Sequence, residues 1–246
     1  MDVTGLDVSN RIHVAPVGYE RDRVVLPAVR LDADRVVLLV GGGDDSQSEY
    51  ASGVRDDLDD AGIPHETVPC DVFDLYDAIG AVAELATARD DDDVFVNLAS
   101  GSKVTAIGGM IACMATGATP YYVRAERYGD ATESGVSEGV AEISRLPTYP
   151  IDRPERQHVA VLDYLAESGP TPKRDLIAFG ERADLPFLDT YESDAPRGKY
   201  RLLDSRVLDP LREQGLVAVE SVGRQKRARL TTDGENALRA FEYLLE

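Results

Sequence analysis

The sequence predicts a Rossmann-like, doubly wound, mostly parallel α/β domain followed by a winged helix-turn-helix domain. Three observations lead there. From residue 11 onward, apolar runs of strand length alternate with amphipathic stretches of helix length. A proline-bearing segment, Leu146-Pro147-Thr148-Tyr149-Pro150, then interrupts the pattern. Beyond it come helices and a basic hairpin. These set one domain at 10–145, a linker at 146–154 and a second domain at 155–246.

Taken in order, Arg11–Val17 reads as a strand, Asp22–Leu31 as a helix and Arg35–Val40 (RVVLLV) as a strand buried on both faces. An amphipathic helix at Ser46–Ala61, a strand at His65–Pro69 and a helix at Val72–Ala88 follow. The strand Asp93–Asn97, the helix Lys103–Ala115 and the strand Pro120–Ala125 complete the repeat, and Val140–Ile143 reads as one more strand. In the second domain the spacing of Val159, Leu162 and Leu165 predicts a helix over Arg156–Ser168. Gly169-Pro170-Thr171-Pro172 reads as a turn, and a second helix begins at Lys173–Phe179. A third helix falls within Tyr200–Gln214 and stops at Gly215. Pro210 either ends it near Leu208 or opens a new turn at its first position. Leu216–Glu220 and Arg227–Thr231 pair as a hairpin about Val222-Gly223-Arg224, Asp233–Leu245 forms a closing helix, and Asp184–Pro196 reads as an insertion or long loop.

The segment Asp93–Thr105, DVFVNLASGSKVT, holds the first candidate site. A buried strand runs into small residues and then into a helix whose free N–H groups favour an anion. A strand order of 3-2-1-4-5 places this loop beside the one that follows the first strand, in the crevice where open α/β sheets bind ligands. The candidate ligand-binding residues are therefore Gly18, Tyr19, Glu20 and Arg21 from the first loop and Asn97, Ser100, Gly101, Ser102, Lys103 and Thr105 from the second. Gly18 permits a tight turn, Tyr19 offers a ring for stacking on a base, and Arg21 and Lys103 offer charge to a phosphate. The pattern is not a P-loop, because Gly101-Ser102-Lys103-Val104 lacks both the upstream glycine and the hydroxyl after lysine. G-x-G-x-x-G is absent as well, and Gly41-Gly42-Gly43 is followed by Asp44 and Asp45, which repel a pyrophosphate.

Charge separates the two domains. The 246 residues carry 45 acidic and 26 basic side chains, a net of −19, and only Lys103, Lys173, Lys199 and Lys226 are lysines. This acid-rich, arginine-over-lysine usage resembles proteins of salt-accumulating archaea, where a Debye length of about 3 Å at 1 M screens the self-repulsion. Residues 1–150 have a net charge of −16 and residues 151–246 only −3. Within the second domain, Arg197–Leu230 holds nine basic against four acidic residues, which asks for an anionic partner. Lys199, Arg201, Ser205 and Arg206 are candidates for a groove-facing helix, and Arg224, Lys226, Arg227 and Arg229 for phosphate contacts from the hairpin. Two cysteines and three scattered histidines support neither a disulfide framework nor a metal site. No apolar run approaches the roughly 20 residues of a membrane span, and the N-terminus lacks signal-peptide character, so a cytoplasmic protein with no membrane association is expected.

Val17-Gly18-Tyr19-Glu20 at the end of the first strand and Asn97-Leu98-Ala99-Ser100-Gly101-Ser102-Lys103 at the end of the fourth resemble the CARF domains, the Rossmann-like sensors of CRISPR-associated proteins. The resemblance covers about residues 10–145. Where many members read Thr-Gly-Gly-Thr-Lys, this chain has Ala-Ser-Gly-Ser-Lys, keeping glycine, hydroxyl and lysine but losing one glycine. Leu211-Arg212-Glu213-Gln214-Gly215-Leu216-Val217, then Gly223-Arg224, Leu230-Thr231, Gly234 and Ala237-Leu238, are similar to winged-helix regulators. The resemblance implies a homodimer that binds a cyclic oligoadenylate across its two-fold axis and duplex DNA through the winged helix, with no cofactor. The expectation is a sensor and not an enzyme. Two alternatives remain: a ring nuclease, although neither loop holds a histidine to act as base, and a regulator sensing another phosphorylated small molecule.

Overall fold

The computed structural model describes residues 9–41, 49–89, 91–129, 136–149, 151, 153–188, 196–222 and 225–245. The chain divides into Met1–Asp152 and Arg153–Glu246. In the first unit, β1 (Arg11–Pro16), β2 (Arg35–Val40), β3 (His65–Pro69), β4 (Asp93–Asn97) and β5 (Thr119–Arg124) alternate with α1 (Asp22–Arg30), α2 (Glu49–Asp60), α3 (Leu75–Thr87) and α4 (Lys103–Thr116). After the two-residue β6 (Arg127–Tyr128) and β7 (Ser137–Glu138), β8 (Glu142–Arg145) completes a six-stranded sheet of order β3-β2-β1-β4-β5-β8. The first five strands are parallel. Val36 to Val40 are buried without alternation, as strands covered on both faces must be.

β8 begins two residues later than expected and runs antiparallel to β5. Val140, the residue that signalled it, packs instead just ahead of the strand against Ala99, Tyr121 and Val123. α3 and α4 approach through glycine: a methyl group on Gly108 would lie 2.9 Å from the Ala78 side chain. Asp74 caps α3 by accepting the amides of Tyr76 and Asp77.

In the second unit, α5 (Arg156–Ser168) and α6 (Lys173–Arg182) precede a continuous helical run. That run comprises α7 (Pro196–Leu203), a π-helical stretch at Asp204–Leu208 and α8 (Asp209–Glu213). Pro210 opens a new α-helical segment after Leu208, within its first two positions, as the second expectation had it, while the helical run stays continuous. The π stretch widens the backbone just before it, with the Asp209 amide bonding the Asp204 carbonyl. The carbonyl that a proline at 210 leaves without its amide partner is that of Arg206, and His158 Nε2 bonds it at 2.8 Å.

A wing follows, with β10 (Val217–Val222) antiparallel to β11 (Gln225–Leu230), and α9 (Thr232–Phe241) closes the unit. The expected turn at Thr171-Pro172 is a short strand, β9 (Thr171–Pro172), paired with β11 through Ala228 and Arg227. Proline is tolerated at such a sheet edge. The expected loop after Asp184 is likewise partly core. Phe187 is fully buried among Leu162, Leu176 and Leu203, in space that Gly180 leaves open, since a methyl group there would lie 2.6 Å from the Phe187 ring.

The central polar group of the first unit is His13 on β1, buried against Phe95 and 3.1 Å from the Tyr121 hydroxyl. Burial, aided by Arg11, pushes its pKa down from 6.5 to about 4. The unfolded chain therefore takes up a proton that the folded chain refuses, and stability is lost as pH falls from about 6.5 towards 4. The expected loss is of order 3 kcal/mol across that window. Thermal unfolding between pH 6.5 and 5 should show a falling midpoint in the wild type and a flatter profile in His13→Leu.

Candidate functional site

The adjacency of β1 and β4 brings their trailing loops into backbone contact. A methyl group on Gly18 would lie 2.7 Å from the Gly101 amide nitrogen. Gly101 itself has φ +76°, and a side chain there would strike Pro16 at 2.6 Å. Both positions accept only glycine without displacing the loops.

Three of the ten sequence-identified residues build this junction from within. Asn97 is fully buried, donating to the Arg23 carbonyl at 2.7 Å and accepting the Ala99 amide at 2.9 Å. Ser100 donates to the Pro16 carbonyl at 2.7 Å, tying the β4 loop to the end of β1. Thr105, also buried, donates to the Val72 carbonyl at 2.6 Å. Ser102 shares that carbonyl and caps α4 by accepting the Thr105 amide at 3.0 Å. The cap satisfies the third amide of the helix and leaves those of Lys103 and Val104 free of side-chain caps. Lys103 is exposed and makes no ion pair among the described residues.

Gly18, Tyr19, Gly101 and Ser102 line a recess of about 220 Å³ together with Val17, Val40, Gly41, Tyr50, Val72 and Phe73. Tyr19 and Phe73 are 62% and 73% exposed, large values for rings at the mouth of a cavity. Tyr19 meets Tyr50 edge-on, with ring centroids 5.0 Å apart. Sequence reasoning missed Val40, Gly41, Tyr50, Val72 and Phe73. The signal was available, because a doubly wound sheet gathers the ends of its parallel strands and the loops that follow them at one edge, and these residues end β2 or follow β2 and β3. A neighbouring hollow is lined by Cys70, Asp71 and Asp77. Burial, reinforced by Asp77, pushes the Cys70 thiol up to about 12, so it stays protonated near neutral pH.

The two charged residues of the first loop take opposite courses. Arg21 makes a bidentate ion pair with Asp57 and lies against α2 at Gly53, where a methyl group would stand 2.9 Å from Nη1. It is absent from the recess lining. Glu20 turns back over Gly18, and burial raises its carboxyl above the ordinary range more than nearby Arg23 lowers it. Among the described residues no group of three or more His, Cys, Asp or Glu side chains is placed to hold a metal ion.

In the second unit, Arg201, Ser205 and Arg206 are exposed on α7 and the π stretch. Lys199 bonds Glu181 at 2.7 Å, and Lys173, which sequence reasoning left out, pairs with Asp204. On the wing Lys226 is exposed, Arg229 bonds Glu220 at 2.7 Å, and Arg227 is half-buried with its Nε unpartnered. Arg224 lies outside the described residues. Arg201, Arg206, Lys226 and the half-buried Arg227 are thus the candidates that make no ion pair among the described residues.

The chain is 26% identical over 140 residues to "Uncharacterized protein MJ1513" of Methanocaldococcus jannaschii, covering 52% of this chain and 40% of that protein. It thus spans about two fifths of the length of that curated relative. Among solved structures it is similar to Can2 from Sulfobacillus thermosulfidooxidans in complex with cyclic tetra-adenylate. The identity is 12% and the TM-score 0.42, over 95% of this chain and 64% of that one. It is also similar to Enterococcus italicus Csm6 bound to cyclic hexa-2'-fluoro-hexa-dAMP, with 14% identity and a TM-score of 0.39, over 50% of this chain and 35% of that one. Residues 11–128 match the family described as "HFX_2341_N:-like, N-terminal", and residues 157–242 match the DUF6293 C-terminal winged helix domain. The chain therefore joins an HFX_2341_N-like N-terminal domain to a DUF6293 winged helix domain, the Rossmann-like and winged-helix pairing that the resemblance to CARF regulators implied.

Proposed function

We propose that the protein is a homodimeric, ligand-responsive transcriptional regulator of the cytoplasm. Its first unit binds a cyclic oligoadenylate or related nucleotide, and its winged helix unit binds duplex DNA. The observation that carries the reading is the recess edged by Tyr19, Tyr50 and Phe73 beside the Ser102-capped start of α4 with its unpaired Lys103. Rings suit a base, while free helix amides and a lysine suit a phosphate. No other ligand class uses both halves as well.

Dimerisation draws support from α4. Val104, Ile107, Ile111 and Met114 recur at helical spacing, Ile107 is 56% exposed, and Lys103 is the one charged residue of the helix. A second copy packed against the first turns of this stripe, around Val104 and Ile107, brings the two recesses near each other, because the recess sits at that end of the helix. Sensing without turnover is the reading the loops favour. Ser102 is committed to its cap and to Val72, and His13 is buried in the sheet with a pKa near 4.

Thermal unfolding with cyclic tetra-adenylate and hexa-adenylate tests the sensor. A ring present at 100 times its dissociation constant should stabilise the wild type by about 2.7 kcal/mol. Lys103→Ala should lose most of that gain. Absence of a shift with either ring would overturn the nucleotide reading, and time-dependent disappearance of the ring would convert the sensor into a nuclease. For the winged helix, binding to a random-sequence duplex should weaken linearly in log K against log salt, and Arg201→Ala or Lys226→Ala should reduce the slope by about 1. An unchanged slope would remove that residue from the phosphate contacts.

A further inference from the structure

An acid occupies the place where the loop pair would present donors to a phosphate. Glu20 folds back on its own loop: a methyl group on Gly18 would fall 2.5 Å from Glu20 Oε2 and 2.7 Å from the Gly101 amide nitrogen. The carboxylate, Gly18 and the Gly101 amide thus crowd a single spot between the β1 and β4 loops. Oε2 is buried and has no hydrogen-bond partner. Burial raises the Glu20 carboxyl above its ordinary range; Arg23 and the amides of Glu20, Tyr19 and Gly101 oppose that by favouring the charged form, and no bond to Oε2 is completed. Arg21, the cation of the same loop, is held by Asp57 on α2. The loop therefore turns its acid in and its base out, the reverse of what binding an anion requires.

We propose that the Glu20 carboxylate is a built-in anion seated between the two loops, and that it is the specificity-determining residue of the site. It excludes inorganic phosphate and mononucleotides and yields only to a phosphate ligand that brings enough further contacts to displace it. The proposal rests on reading the loop pair as a phosphate site. Two anions cannot share one buried seat, since a pair of like charges about 4 Å apart repels strongly wherever water is scarce. The occupant is poised to leave, because a buried oxygen without a partner regains water on swinging out. A mononucleotide has one phosphate and one base to set against that charge. A larger ring sets Tyr19, Tyr50, Phe73 and Lys103 against it together. The same exchange accounts for a loop rich in backbone donors that nevertheless carries an inward glutamate.

Isothermal titration of the full chain in phosphate-free buffer tests this with inorganic phosphate, AMP and cyclic tetra-adenylate as probes. Wild type, Glu20→Gln, Glu20→Ala and Glu20→Gln with Lys103→Ala are compared, alongside their unfolding midpoints without ligand. Both single variants should bind phosphate and AMP at least tenfold more tightly than the wild type. Their midpoints should be unchanged or raised, and the added Lys103→Ala should remove the gain. Unchanged phosphate and AMP affinity with cyclic tetra-adenylate still bound overturns the proposal and leaves the phosphate site standing. Lower midpoints with weaker binding of every probe make Glu20 a structural clamp and also overturn it. Failure of all four proteins to bind any probe overturns the phosphate reading and the proposal together.

Discussion

The backbone contact between Gly18 and Gly101 sets the geometry of everything at the loop edge of the first unit. It exists because β1 and β4 are neighbours in register, Val14 opposite Val96, so that both chains leave the sheet at the same level. Side chains at either glycine would force the loops apart. Once they touch, the remaining polar groups have few places to go. Ser100 reaches back to the Pro16 carbonyl, Asn97 spans to the Arg23 carbonyl, and Ser102 and Thr105 converge on the Val72 carbonyl. Each bond satisfies a buried group that would otherwise cost about 1–3 kcal/mol. Together they link the ends of β1 and β4 to the start of α1 and to the segment after β3. The recess is the space these four constraints leave open, and its mouth is edged by the exposed rings of Tyr19 and Phe73.

Charge is arranged by the same logic of compensation. In a chain of net charge −19, a cation is available to an anionic partner only where it lies out of reach of the chain's own acids. In the winged helix unit that separation is incomplete. Glu181, Asp204 and Glu220 hold Lys199, Lys173 and Arg229. The exposed Lys199–Glu181 and Arg229–Glu220 pairs contribute only about 0–1 kcal/mol each and weaken with salt, whereas Lys173–Asp204 is part-buried. High salt thus loosens these internal pairs and frees their cations. Arg201, Arg206, Lys226 and the half-buried Arg227 make no ion pair among the described residues, so the proposed duplex contact would draw on these cations.

The fold was legible wherever hydrophobic period and length agreed. RVVLLV is a strand in any setting that covers both its faces, and the spacing of Val159, Leu162 and Leu165 is a helix in any setting that covers one. Readings went astray where one residue served two purposes. Val140 looked like the first residue of a strand because it is apolar, yet it fills the core a step before pairing begins. Thr171-Pro172 looked like a turn because proline commonly marks one, yet an edge position spares proline its missing donor. Phe187 sat in an acidic, proline-rich stretch whose composition concealed a core anchor. At the site, the glycines and the capping serine were legible from local chemistry alone. Tyr50 and Phe73 were not, because the first turn of α2 and the segment after β3 carry no motif and join the recess only through strand order. The fate of Arg21 was beyond local reading as well, since it is decided by Asp57, 36 residues away on another helix.

The π stretch of the third helix shows how a single proline can fix the direction of side chains far from any ligand. Without Pro210 an α-helix would run on and bond the Arg206 carbonyl internally. With it, the chain inserts a wider turn at Asp204–Leu208, and the exposed carbonyl is taken by His158 of α5. A π turn rotates all later residues relative to earlier ones, so the face shared by Arg201 and Ser205 is not continued by simple four-residue steps. Val207, Leu208 and Leu211 nevertheless remain buried. The wider turn is thus the device that keeps the core positions in phase while holding Arg206 outward beside Ser205. Because His158 spans from α5 to this turn, the orientation of the exposed arginines is tied to the first helix of the unit rather than left to the third helix alone.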